Sequence, residues 1–415
     1  MKSTATLSDD TRQRGLIVIL IDTFFMWAGF FMVVPLISVH FVDDLGWPAA
    51  SIGLVLAVRQ LTQQGLTLPG GMLADRIGPK GLICGGMLIR AAGFGCMAWA
   101  TSFPLLLASA LLAAIGGSLF ESPRSAAIAA LTTSENRGRY YSLQGVVGGL
   151  GMTLGPLLGA LLLRYDFGVV ALVAASCYVV TFTVTLGLLP NVQVAAERHN
   201  LTYGIGLALH DRPFMAFNVL LMGYWFMWVQ LSISLPLEAR AISGTSDAVS
   251  WVYTLNAGMS VLLQYPLLRM AERWLRPLPI LVLGITLMAV GLGGVAWAGS
   301  VLALLLCVAL FSGGALLAAP SQQTVAAEFA NPTALGSYFG VNALALALGG
   351  GLGNYSGGLL YGLGRQNGTP ALPWIIFCTV GMVAAIGMLL LHRRQAGRAC
   401  IPASEPETAI EGARR

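Results

Sequence analysis

The chain has 415 residues, of which 56% are hydrophobic and only 10% are charged, and its mean hydropathy is +0.76. A water-soluble domain does not need so many apolar residues to form a core, so the composition excludes an ordinary soluble protein. In a bilayer, every backbone polar group must be bonded internally, and long apolar runs without alternation exclude a barrel. The sequence therefore predicts an all-α membrane protein.

Twelve apolar segments, each near or above the roughly 20 residues that a bilayer requires, predict twelve transmembrane helices. In chain order they cover about 15–42, 48–73, 81–101, 104–130, 138–163, 168–189, 213–239, 247–270, 277–298, 300–325, 335–363 and 372–391. The first segment has basic flanks like a signal peptide, but it is too long and lacks a small-residue cleavage site. We therefore expect it to remain in place as a span.

Lys and Arg residues are unevenly divided between the segments that connect these spans. Seventeen lie on one side and three on the other, which predicts that both termini face the cytoplasm. We expect a multi-pass protein of a bacterial inner membrane. The net charge of +5 therefore reflects topology and does not indicate a nucleic-acid partner. The six cysteines lack metal-ligand spacing, so no metal site is expected.

The two halves of the chain repeat one pattern. Pro69 and Pro123 match Pro266 and Pro320 at an offset of 197 residues. An even number of spans per half predicts two parallel six-helix bundles related by a pseudo-two-fold axis along the membrane normal, with a substrate site at their interface. The predicted units are a bundle at 1–190, a cytoplasmic linker at 191–212, a bundle at 213–392 and a disordered cytoplasmic tail at 393–415.

The loop after the second span gathers charges where a helix must end and the chain must reverse. It contains Gly71, Asp75, Arg76, Gly78 and Lys80. A plain basic turn would also satisfy the positive-inside rule. Because the glycines and the Asp-Arg pair occur together and are copied in the second half, the loop resembles the signature of the major facilitator superfamily. That resemblance implies a conformational latch made by these residues.

The fifth span contains glycines four residues apart, at Gly151, Gly155 and Gly159, with Pro156 between them. This spacing lines one helix stripe, on which another backbone can approach closely. It resembles the motif of the exporter branches of the same superfamily. A simple packing stripe has the same physical form, so an antiporter role rests on the resemblance alone.

Four further stretches, at residues 29–38, 58–64, 87–94 and 120–126, resemble the drug:proton antiporter branch of that superfamily, and the likeness runs over the whole chain. The resemblance implies export driven by a proton gradient, without a cofactor. One departure is Leu112, which stands where the branch usually has an arginine. The proton-transfer role of that arginine is therefore not carried over.

Five ionisable residues lie inside predicted spans: Asp22, Arg59, Arg90, Glu121 and Arg124. Each costs at least roughly 2.5–3.5 kcal/mol in hydrocarbon, so each should face the bundle interior with a partner. The three arginines are assigned to an intramembrane charge network. A fixed ion-pair network is the favoured interpretation for Glu121 and Arg124, although Glu121 also remains a candidate for proton coupling. Asp22 is alone in an apolar span and is the stronger candidate for proton coupling, unless Arg90 neutralises it.

Aromatic and amide side chains predict a substrate cavity that suits an amphipathic organic solute. Interfacial belts and core filling are the alternative interpretation of the aromatic residues. The predicted cavity residues are Gln60, Gln63, Tyr224, Trp228, Gln230, Asn256 and Gln264.

The leading hypothesis is proton-coupled export of amphipathic compounds by alternating access, with a small-molecule substrate, the proton and the lipid bilayer as partners. A monomer is expected. The alternative is an importer or facilitator of a specific metabolite or siderophore, and a membrane receptor or scaffold is a third class. An enzyme is not expected, because the sequence lacks a Walker loop, a zinc cluster and a Ser-His-acid arrangement.

Overall fold

The computed structural model describes residues 8–132, 137–191, 201–245, 247–331 and 335–399. Within these ranges it describes all side chains except those of 68, 70–72, 74–77, 121–122, 125–126, 129–130, 137–139, 141–142, 201–204, 335–336 and 394–399. The described chain is helical and contains no strand. Its α-helices are α1 (Asp9–Ser38), α2 (Ala49–Ile77), α3 (Pro79–Met97), α4 (Phe103–Leu131), α5 (Arg137–Leu163), α6 (Phe167–Leu188), α7 (Leu201–His210), α8 (Arg212–Trp228), α9 (Ser234–Ser243), α10 (Asp247–Glu272), α11 (Pro277–Val295), α12 (Val301–Phe329), α13 (Leu335–Gln366) and α14 (Leu372–Ala399).

The all-helical prediction is confirmed. Eight helical segments of the described chain are long and apolar enough to cross a membrane. The other four predicted spans fall on long helices with more polar residues, α2, α3, α10 and α13. Twelve as the number of crossings stays a prediction.

Two details differ from the expected boundaries. The seventh span is interrupted between α8 and α9 by a 3-10 turn at Val229–Leu231, and Pro236 lies in the first turn of α9, where its missing N–H costs no helical hydrogen bond. The predicted linker contains the helix α7, and α14 continues to Ala399, so the tail predicted to be disordered from residue 393 begins as helix.

The helices pack in two groups. In the first group, α3 packs on α4 and α6, α2 on α4, and α1 on α5 and α6. In the second, α11 packs on α12 and α14, and α8 on α13 and α14, while α10 packs on α12. The two groups meet mainly where α2 packs on α13 and α5 on α10.

One tight crossing occurs in both groups at equivalent positions. An added Cβ at Gly86 would lie 2.7 Å from the carbonyl oxygen of Gly116, and one at Gly284 would lie 2.7 Å from that of Gly314. The pairs α3–α4 and α11–α12 therefore approach to backbone contact, as expected where small residues replace hydrophobic driving force in lipid. Both pairs are related by 198 residues, in keeping with the internal repeat.

We call the side of the molecule on which α1 begins and α14 ends the terminal side, and the opposite side the far side. On the far side, two ion pairs between described residues join the groups. Asp44, the last residue of the π-helical segment Val39–Asp44 that follows α1, lies 2.5 Å from the guanidinium of Arg240 on α9. Arg164, just after α5, lies 3.2 Å from Asp247 at the start of α10.

The terminal-side part of α10 is open on every face. Residues 261–266 are all exposed, and six consecutive residues cover more than one full turn of a helix. At the far end of the same helix, residues 248–253 are buried except Trp251. The described parts of the two groups therefore meet on the far side and separate towards the terminal side.

Candidate functional site

Asp22 lies in the interior of the first group, where only 1% of its surface is exposed. The hydroxyl of Thr185 on α6 donates a hydrogen bond of 2.6 Å to one carboxyl oxygen. The other oxygen is buried and has no hydrogen-bond partner among the described residues. Arg90 forms no ion pair with this carboxyl group within the described part, so the neutralisation considered from the sequence does not occur in this conformation.

Arg59 and Arg90 converge on the ring of Phe30 from α1. Their guanidinium carbons lie 5.0 Å and 5.5 Å from its centroid, which is within cation–π range. Arg59 also donates to the side-chain oxygens of Gln63 at 3.0 Å and Gln60 at 3.1 Å. These glutamines, predicted to line a cavity, therefore bind a buried arginine in this conformation.

Arg90 sits in a recess that a small residue makes possible. Its guanidinium also lies 5.2 Å from the ring centroid of Tyr178 on α6. An added Cβ at Gly117 on α4 would lie 2.5 Å from an Nη atom of Arg90 and 3.0 Å from the amide carbon of Gln63. Three helices thus bring the polar groups of Arg90 and Gln63 to one point beside Gly117.

Arg124 lies on the same helix as Gly117, further along α4. It donates to the hydroxyl of Thr23 at 3.4 Å, and its guanidinium carbon lies 5.1 Å from the ring centroid of Phe120. The side chain of Glu121 lies outside the described residues, so the predicted network around it stays a prediction.

The cavity prediction for the second group needs correction at Gln230, which is fully buried. Its amide nitrogen donates to the carbonyl oxygens of Phe226 and Gly353, both at 2.9 Å, and its side-chain oxygen accepts from Ser234 at 2.7 Å. These bonds fasten the interrupted seventh span to α13. Gln230 therefore stabilises a helix break and faces no open space in this conformation.

The other predicted cavity residues are scattered. Tyr224 is buried with its ring edge-on to Trp225, and Trp228 is half-buried and also packs edge-on with Trp225. Asn256 accepts a 2.9 Å hydrogen bond from Ser312, and Gln264 is exposed. The structure does not bring these four residues together into one site.

A pocket of about 210 Å³ lies instead between α8, α12 and α13. It is lined by Trp225, Gln322, Gln323, Phe339, Asn342, Ala343 and Leu346. Sequence reasoning missed this pocket, although two adjacent glutamines in the otherwise apolar tenth span were a usable signal, because an amide in a membrane helix needs a partner.

The latch loop is tighter than expected. α2 continues to Ile77 and α3 begins at Pro79, so Gly78 alone connects them. Gly78 has φ +92, a conformation that L side chains rarely adopt, which explains glycine there. Lys80 is half-buried in the first turn of α3. The side chains of Gly71, Asp75 and Arg76 lie outside the described residues, so the latch itself stays a prediction.

The glycine stripe of α5 packs against α1. Added Cβ atoms at Gly151, Gly155 and Gly159 would lie 2.7, 2.6 and 2.5 Å from three carbonyl oxygens of α1 that follow each other at intervals of four residues. The carbonyl oxygen of Pro156 accepts a 3.3 Å hydrogen bond from Ser250 on α10. One stretch of α5 therefore holds both the helix that carries Asp22 and the second helix group.

Comparisons with known proteins agree with this architecture. The profile described as Major Facilitator Superfamily matches the chain twice, over residues 19–243 and 224–411. The chain is 39% identical over 384 residues to Multidrug resistance protein MdtH of Aeromonas hydrophila, covering 92% of this chain and 97% of that protein. It is 40% identical over 371 residues to the MdtH of Cronobacter sakazakii, covering 89% and 92% of the two chains.

Solved structures show the same fold at low identity. A POT family transporter in complex with 5-aminolevulinic acid has a TM-score of 0.78 at 16% identity, covering 92% of this chain and 96% of that one. A single-residue mutant of the nucleoside transporter NupG has a TM-score of 0.78 at 16% identity, covering 92% and 99%. With two profile matches that span most of its length, the chain belongs to the Major Facilitator Superfamily.

Proposed function

We propose that this membrane transporter is a proton-coupled exporter of amphipathic organic compounds that works by alternating access. The relatives named Multidrug resistance protein MdtH match this chain over almost their whole length, which supports drug-like solutes as substrates. The proposal includes a location in a bacterial inner membrane with both termini in the cytoplasm, and a monomeric protein. The excess of Lys and Arg on the terminal side supports this orientation.

The asymmetric contact between the two helix groups carries the proposal. The groups are bridged on the far side by Asp44–Arg240 and Arg164–Asp247, while α10 is exposed on all faces towards the terminal side. A transporter that is open to the cytoplasm needs this arrangement, because the solute enters between the groups before they rock about it. Breaking these two ion pairs would then accompany opening to the periplasm.

Asp22 is the residue to which we assign proton coupling. A buried carboxylate oxygen without a hydrogen bond is costly as an anion, and a bound proton removes that cost. The contact with Thr185 ties the carboxyl group to α6, and the α1 backbone that carries it packs on α5. Proton binding at Asp22 is therefore placed to act on helix packing beside the inter-group contact. Glu121 remains a second candidate from the sequence.

The test uses purified protein in proteoliposomes with an imposed pH gradient and a fluorescent amphipathic dye. We expect Asp22→Asn to abolish gradient-driven accumulation while dye still equilibrates down its own gradient. Asp10→Asn is the matched control, because Asp10 lies on the surface and pairs only with Arg14 among the described residues. Accumulation by Asp22→Asn at the rate of the wild type would refute the coupling. Selective uptake of one metabolite, with no response to dyes, would favour the importer.

A further inference from the structure

The pocket between α8, α12 and α13 has polar groups that the protein itself does not satisfy. Gln322 is 5% exposed and Asn342 is 9% exposed. Neither side-chain amide hydrogen-bonds to any other described residue, whereas the amides of Gln230 and Asn256 do. Their polar atoms are open to the pocket, so water or a ligand can hydrogen-bond to them there.

The rest of the lining defines the chemistry of that ligand. Among the described residues that line it there is no Asp, Glu, Lys or Arg, and its largest side chains are those of Trp225 and Phe339. Tyr224 and Trp228 pack edge-on against Trp225 at centroid distances of 4.8 and 5.7 Å, which holds the indole in place. A fixed indole beside amides favours a flat ring that stacks and offers hydrogen bonds at its edge.

Size and position indicate that the pocket holds part of a solute. Its volume of about 210 Å³ is below the roughly 300–1,000 Å³ of sites that enclose a drug-sized molecule. Leu346 lines the pocket, and Gly350, one turn further along α13, lies against Gln60 of the first group. The remainder of a bound solute would therefore extend between the groups, towards the polar cluster around Arg59.

We propose that this pocket is a solute-binding subsite that takes an uncharged, planar heteroaromatic ring system bearing both a hydrogen-bond donor and an acceptor. In this assignment Trp225 stacks on the ring, while Gln322 and Asn342 bind its polar edge. The assignment deepens the proposed function and rests on it for the role of the bound solute. Binding itself requires neither a proton gradient nor transport, so the two proposals can fail separately.

The test compares two fluorescent probes of the same ring size with purified protein in lipid nanodiscs. Acridone is uncharged and carries an N–H and a C=O group, while 10-methylacridinium is a cation without either. We expect acridone to bind at least about tenfold more tightly, because only acridone satisfies the amides. Equal binding of the two probes, or tighter binding of the cation, would overturn the proposal.

Single substitutions locate the binding. We expect Gln322→Leu and Asn342→Leu each to weaken acridone binding by about three- to tenfold. Trp225→Ala should weaken it by about tenfold, and Trp225→Phe should restore most of the loss. Gln366→Leu is the matched control, since Gln366 is exposed at the opposite end of α13. Acridone affinities within twofold of the wild type in all pocket variants would refute the site.

A gain of binding separates recognition from misfolding. In alkaline buffer, Gln322→Glu adds a negative charge with little change of shape, so we expect the preference to move towards 10-methylacridinium by about tenfold or more. A misfolded variant would lose both probes. An unchanged ratio of the two affinities in a folded Gln322→Glu protein would contradict the placement of Gln322 at the solute.

Discussion

Replacing Gly155 by alanine adds a methyl group at the contact between α5 and α1. The new Cβ would lie 2.6 Å from the carbonyl oxygen of Ala28, 3.1 Å from the amide nitrogen of Met32 and 3.2 Å from the Cβ of Phe31. Two of these neighbours are backbone atoms, so the helices must move apart by about 1 Å to restore ordinary contact. Such overpacking costs about 1–3 kcal/mol, partly offset by about 0.5–1 kcal/mol for alanine over glycine in a helix.

Gly145→Ala on the same helix is the matched control. An added Cβ there meets nothing within 4 Å, so only the helix preference for alanine acts and the protein should be unchanged or slightly more stable. Thermal unfolding of both variants in the same detergent measures the difference, and we expect Gly155→Ala to unfold several degrees lower than Gly145→Ala. Equal midpoints would refute the close packing of α5 on α1.

Three other substitutions test separate contacts. Arg240→Gln removes the cation of the inter-group ion pair with Asp44, which is worth about 0–1 kcal/mol. With Phe31→Cys as the reporter, we expect an impermeant maleimide added on the far side to label this cysteine modestly faster. Gly53→Ala puts a methyl group 2.6 Å from a backbone oxygen of α13 and should increase the labelling rate further. An unchanged labelling rate in both variants would contradict closure of the far side. Gln230→Leu should lower the free energy of unfolding by about 1–3 kcal/mol, whereas Gln264→Leu, at an exposed position, should change it by no more than about 0.5 kcal/mol. Equal effects on the free energy of unfolding would refute the stabilising role of the Gln230 hydrogen bonds.

The fold was predictable because lipid leaves few alternatives. Long apolar runs must be helices, and glycines four residues apart must lie on one helix face, so the all-helical class and the close contact made by Gly151, Gly155 and Gly159 follow from spacing alone. The break between α8 and α9 was not predictable in this way. The apolar run continues through the break. The hydrogen bonds that Gln230 makes there involve Gly353 on α13 as well as Phe226 on α8 and Ser234 on α9.

The candidate site was less predictable, because the hydrogen-bond partners of its side chains come from residues that are distant in the sequence. Gln230 and Gln322 are both amides in apolar spans, and sequence does not show which one is bonded by neighbouring backbone. The structure shows Gln230 fully bonded and Gln322 lining a pocket. The burial of the charged residues was better predicted, since hydrocarbon forces such groups inward, but the contacts with Phe30 and Thr185 were not predicted.

In the proposed function the chain alternates between two arrangements of its helix groups, and Asp22 biases their populations. Spin labels at Leu143→Cys on α5 and Tyr265→Cys on α10, both exposed on the terminal side, test it in a background without native cysteines. Pulsed electron paramagnetic resonance in nanodiscs should give two populations of the distance between the labels. The ratio of these populations should change on addition of dye and again with Asp22→Asn. A single distance, unchanged by dye and by Asp22→Asn, would contradict the account.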